Sequence, residues 1–196
     1  MPHLATILEL LRSYRQEEAS SAAAHHTKPP PLSRLMKMEA EDDHGSSGSS
    51  EDVVIKIIRV VANMSISNEV GQQVAAIPEV YDNLTDILAT RTISENEELI
   101  LSTLATLNNL TYYPVESEGK AEQDLAVYSR VEDFIACPNT EAQIEASRVL
   151  GNLTRSQAVR DQLAARPAWP AIVRQPSLNI IFYYYYCTIG KTLALQ

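Results

Sequence analysis

The sequence has 196 residues and a formal net charge of −9, room for one medium domain with flanking segments. That negative balance, spread along the chain, argues against nucleic acid or an anionic membrane as the main partner, because phosphate binding draws on clustered Lys and Arg. Cys137 and Cys187 lie far apart with no paired spacing, so no disulfide framework or zinc knuckle is indicated, and with no secretory leader pattern the cytoplasm is the expected compartment.

Residues 1–19 place Leu4, Ile7, Leu8, Leu11 and Tyr14 on one face of a short amphipathic helix, a length that is marginal in water without a neighbour. Between 20 and 51 the composition shifts. Ala22-Ala23-Ala24, Pro29-Pro30-Pro31, the acidic run from Glu39 to Asp43 and the Ser/Gly run from Gly45 to Ser50 cannot bury a core and read as a disordered arm. His25, His26 and His44 fall there; a metal site needs further ligands held rigidly, so these are solvated histidines.

From 52 to about 175 helical runs alternate with brief breaks. Val53–Met64 is a long helix, and Val70–Ile77 a short one that ends before Pro78. A middle-length helix then runs through Val80, Leu84, Ile87 and Leu88. The next long helix is expected to start at Ser94, which with Glu97 has capping-box form, and to end near Thr111. Tyr112-Tyr113-Pro114 breaks the chain. A polar stretch from Glu116 to Asp124 follows, and Leu125–Ala136 resumes the helical pattern. Pro138 and Asn139 introduce Glu141–Thr154, with Thr140 and Gln143 as a second capping box, and Val159–Ala165 is another short helix.

These runs repeat. Val61-Ala62-Asn63-Met64-Ser65, Leu107-Asn108-Asn109-Leu110-Thr111 and Leu150-Gly151-Asn152-Leu153-Thr154 share one pattern, with Asn residues 46 and 43 positions apart. That is the period of stacked-helix repeats. Upstream, Ile55, Ile58, Val61 and Met64 align with Leu101, Leu104, Leu107 and Leu110, and with Ile144, Ser147, Leu150 and Leu153. Steps of three describe one stripe of an amphipathic helix. Val131, Phe134 and Ile135 repeat Leu84, Ile87 and Leu88 in the same way.

The order short, middle, long helix, with Leu104-Ala105-Thr106-Leu107-Asn108-Asn109-Leu110 closing the long one, resembles the third-helix signature of the armadillo-repeat family. The strings Asn108-Asn109-Leu110-Thr111-Tyr112-Tyr113-Pro114 and Ala146-Ser147-Arg148-Val149-Leu150-Gly151-Asn152-Leu153 are most similar to its members concerned with axoneme assembly in cilia and sperm flagella. The resemblance implies an all-α right-handed solenoid of about three repeats over 52–175. It implies a scaffold without catalytic role or cofactor, and protein partners that are axonemal or transport-complex components. The alternative is a general cytoplasmic adaptor that binds an extended peptide in its concave groove. The resemblance would also make this chain a piece of a longer one.

In peptide-binding members of the family an Asn at this position faces the concave groove and holds the peptide backbone, a task suited to an amide because it both donates and accepts. Asn63, Asn109 and Asn152 are therefore candidate groove residues, joined by Arg59 and Arg148 one turn earlier on the same face. The nuclear-import adaptors carry a Trp four residues before the Asn. Here Arg59, Ala105 and Arg148 stand in its place, which argues against lysine-rich peptides. The competing reading is that the amides bond to backbone and hold successive repeats together. Both readings stay open at this point.

Asn63-Met64-Ser65, Asn83-Leu84-Thr85, Asn109-Leu110-Thr111 and Asn152-Leu153-Thr154 match the glycosylation acceptor pattern, but their central residues lie on the buried stripe and the pattern is a by-product of the repeat. Gly190-Lys191-Thr192 matches only the end of a phosphate loop, with Tyr185 where its first glycine belongs. No carboxylate pairs with a nucleophile or His on a common face, so no catalytic residue and no metal ligand is assigned. From 176 to 196 the periodicity stops, and Ile180-Ile181-Phe182 precedes the run Tyr183 to Tyr186. This irregular tail reads as foreign to the family. A membrane anchor is disfavoured by Lys191 near the end of a barely sufficient apolar run.

Overall fold

The computed structural model describes residues 50–166 together with Thr6 and Glu9. The expected helix over 1–19, apart from Thr6 and Glu9, most of the arm over 20–51, and the tail over 176–196 lie outside the described residues. Two compact units are distinguished, Met1–Ile57 and Ile58–Gln196. In the first, Thr6, Glu9 and residues 50–57 are all helical.

Seven helices follow one another among the described residues: α1 (Ser50–Met64), α2 (Asn68–Ala75), α3 (Pro78–Thr90), α4 (Glu97–Thr111), α5 (Lys120–Ile135), α6 (Thr140–Leu153) and α7 (Gln157–Ala164). Helix α1 starts in the first unit and ends in the second. No strand occurs among the described residues. The fold is all-α.

Within the second unit the helices form two layers. The end of α1, then α4 and α6, make a row of third helices; α3 and α5 make a row of middle helices. Helix α4 packs along α6, α3 along α5, and each middle helix against the third helix of its own repeat. Ile58, Leu104 and Leu107 are fully or almost fully buried between these layers, as are Leu84 and Val131. Each such side chain contributes roughly 1.5–3 kcal/mol through removal from water. No unit could bury its stripe by itself, which is why stacking and folding are the same event here.

Two details, the caps of the long helices and the start of α5, differ from expectation. The caps of α4 and α6 are Asn96 and Asn139, not Ser94 and Thr140: Asn96 Oδ1 accepts from the Leu99 N–H at 3.0 Å and Asn139 Oδ1 from the Ala142 N–H at 2.9 Å. An Asn amide oxygen reaches the third helical N–H as well as a hydroxyl does. Ser94 is occupied in a preceding turn, where its hydroxyl meets that of Thr92.

Helix α5 begins at Lys120, inside the stretch read as polar linker. Its first turn is hydrophilic because it faces solvent, and Gly119 (φ 75°) sets the left-handed entry that only glycine adopts without cost.

The third repeat has no short helix at all. Pro114 lacks an N–H and disfavours helical backbone at Tyr113, and the Val115 N–H instead closes a three-residue turn on Tyr113 O at 3.0 Å.

Candidate functional site

A helix leaves the carbonyls of its last turn without partners in the helix. At the end of α1 they are all engaged. Val61 O receives the Ser65 hydroxyl at 2.7 Å and Asn63 O the Ile66 N–H at 3.3 Å. Met64 O receives the Ser67 N–H at 3.3 Å. The other two are met by the next repeat: Asn109 Nδ2 donates to Ala62 O at 3.1 Å, and the Tyr113 hydroxyl to Ser65 O at 2.5 Å.

The end of α4 repeats this scheme one unit on. Asn152 Nδ2 donates to Asn108 O at 3.1 Å, with Asn108 Oδ1 and the Thr111 hydroxyl also in reach. Arg155 donates to Thr111 O. In each case the Asn of one repeat caps the carbonyl just before the Asn of the repeat preceding it. At the other end of the same helices Asn139 Nδ2 donates to Glu97 Oε1, so α6 is tied to α4 at both ends.

The five residues picked from the sequence are thus not equivalent. Asn109 is half-buried and Asn152 is 5% exposed, and both amides serve the junctions between repeats. Asn63 is exposed, and its side chain has no partner among the described residues. Arg59 pairs with Glu98 at 2.8 Å and Arg148 with Glu145 at 2.5 Å, both arginines about half exposed. Exposed pairs of this kind contribute little and reopen easily.

Beside Arg59, on the face of the third helices, lies an open hollow of about 430 Å³. Ala62, Leu101, Ala105 and Ile144 line it, with Arg59 and Glu145 at its edge. Leu101 and Ile144 belong to the apolar stripe read from the sequence, yet they are only half-buried. Their side chains form the walls of the hollow rather than the core. The signal for this was already in the register: Ala105 sits between two arginines, and a small residue there leaves space.

Tyr113 and Gly71 were not legible as a pair. A Cβ added at Gly71 would clash with the Tyr113 ring and hydroxyl, so the glycine in α2 is what lets the ring pass close to that helix and reach Ser65 O.

Among the described residues nothing else gathers chemistry. Buried Asp124 is paired with Lys120 one turn away. Burial, then the Asp124 charge, push the Tyr81 phenol well above its ordinary value, so it stays protonated. Among the described residues no group of three His, Cys, Asp or Glu side chains could hold a metal, and no helix is long and apolar enough to cross a membrane.

No protein-family model matches the chain, and no solved structure matches it. Three curated relatives do, all named armadillo repeat-containing protein 2. The mouse protein is 36% identical over 110 residues, 56% of this chain. The bovine and human proteins are each 35% identical over 112 residues, 57% of it. The chain spans only 13% of the length of each of these relatives. In repeat register and helix order, as in these likenesses, the chain is similar to armadillo-repeat proteins.

Proposed function

We propose that the chain is a non-enzymatic adaptor that holds a segment of another protein along the face of its third helices. The hollow beside Arg59 carries this reading. It offers apolar walls for one side chain, and Arg59, Glu141 and Glu145 supply the polar fringe that protein interfaces share. Arg59 and Arg148, paired with Glu98 and Glu145, are the side chains that would meet the partner. Asn109 and Asn152 would act by fixing the spacing of the helices beneath it.

The likeness to armadillo repeat-containing protein 2 supports a finer reading. The partners are then axonemal or transport-complex components, and the setting is cilium or sperm-flagellum assembly and hence spermatogenesis. Nucleic acid and membrane are not the targets, consistent with the net charge of −9.

The test is proximity labelling in ciliated cells with the full chain and with Ala105→Trp, which fills the hollow. Axonemal or transport proteins should dominate the labelled set and drop out with the variant while its helicity is kept. A set that the variant does not change would overturn the groove; a set without axonemal proteins would leave the general cytoplasmic adaptor.

A further inference from the structure

The three third helices expose different faces at corresponding positions. Residues 60, 106 and 149 share one place in the repeat, as do 63, 109 and 152, and 64, 110 and 153. In α4 and α6 these positions are buried or half-buried, and Thr106, Asn109 and Asn152 reach the helix before them. Thr106 and Val149 are both 0% exposed, and the Thr106 hydroxyl lies 3.4 Å from Ile58 O. Asn109 and Asn152 donate to the helix before them. Leu110 and Leu153 are buried.

In α1 the same three positions are open. Val60 is 46% exposed, Asn63 is exposed without a partner among the described residues, and Met64 is half-buried. The residues chosen are those of a stacking face, an apolar pair plus an amide, and the face is uncovered.

We propose that this side of α1 is a docking surface, separate from the hollow, for a helix of another protein that continues the row of third helices. Thr106 to Ile58 and Asn109 to Ala62 run in the same chain direction, so neighbouring third helices are parallel, and the incoming helix lies parallel to α1. It brings apolar side chains to Val60 and Met64 and gives a carbonyl of its C-terminal turn to Asn63 Nδ2.

A second copy of this chain does not fit. The helix it would have to offer is α6, where Ser147 and Gly151, the counterparts of the Ile58 and Ala62 that the next repeat reaches, are already buried, and Gly151 O already accepts the Thr154 hydroxyl at 2.6 Å. The occupant is an armadillo-type helix with its last carbonyls unmet, the same chemistry that α1 presents to α4.

The experiment titrates the full chain with a designed armadillo-consensus module that ends on an uncapped third helix, read by calorimetry. The wild-type chain binds, Val60→Asp weakens binding at least tenfold, and Asn63→Ala weakens it severalfold. Gln162→Ala, on the exposed side of α7, leaves it unchanged. Because both altered side chains are exposed, the circular dichroism of each variant should match the wild type.

Three results overturn the proposal. One is no binding, or binding that both variants leave intact. Another is dimerisation of the chain alone that Val60→Asp abolishes, which would make a second copy the occupant. The last is slow maleimide labelling of Val60→Cys in the monomeric chain, read from the mass of its peptide, which would mean that the chain covers this face itself.

Discussion

The two junctions between third helices do the same job with different parts. At both, an Asn caps the carbonyl one residue ahead of the previous repeat's Asn, Asn109 on Ala62 and Asn152 on Asn108. At both, a second donor caps the carbonyl of the hydroxyl residue two places after that Asn. It is the phenol of Tyr113 on Ser65 at the first junction and the guanidinium of Arg155 on Thr111 at the second. The acceptor set is fixed by the geometry of helix ends. The donor is free to vary, provided it reaches. Where the donor is a rigid aromatic ring the neighbouring helix must yield space, which Gly71 does. Arg155, a flexible chain, makes no such demand.

The contrast can be broken most severely at Tyr113. Replacing it by Ala removes a buried aromatic and its hydrogen bond, and should lower stability by about 3–5 kcal/mol in urea unfolding. Gly71→Ala should cost about 1–3 kcal/mol by overpacking against the ring, offset by about 1 kcal/mol of better helix propensity. In the Tyr113→Ala background the same substitution should become neutral or stabilising. A double-mutant cycle measures that coupling, and additivity would mean that ring and glycine do not touch.

Asn152→Ala, which removes the buried amide donor to Asn108 O, should cost about 1–3 kcal/mol. Tyr113→Phe isolates the phenolic hydrogen bond and should cost about 1 kcal/mol. A smaller effect appears at high pH. Burial, then the hydrogen bond and charge of Glu132, push the Tyr128 phenol up to about 12. The unfolded chain loses this proton first, near 10, so stability is intact below that pH and declines as pH rises toward 12. Tyr128→Phe should flatten the decline in a pH series of melting temperatures.

The repeat itself was plain in the sequence because the aligned Asn residues and the apolar stripe are periodic, and periodicity survives without coordinates. Leu104 and Leu107 are in the core as their spacing requires. What the amides do was not readable, since a groove amide and a junction amide occupy the same helical position and differ only in whether another helix lies alongside. In this chain Asn152 is buried against the helix before it, whereas Asn63 is exposed. The caps were misplaced for a similar reason: Ser94 and Asn96 both have capping chemistry, and only the turn around Thr92 decides between them. The start of α5 was hidden because Lys120–Asp124 has no apolar period to reveal it. The pairing of Gly71 with Tyr113 joins residues 42 positions apart, a contact that nothing in either local stretch announces.

The most direct measurement compares urea unfolding of Asn63→Ala, Asn109→Ala and Asn152→Ala in the full 196-residue chain. If amides tie each repeat to the one before it, the loss is graded: near zero at Asn63, about 1 kcal/mol at half-buried Asn109 and up to about 3 kcal/mol at Asn152. Equal losses at all three positions, or a loss at Asn63 as large as that at Asn152, would contradict the account.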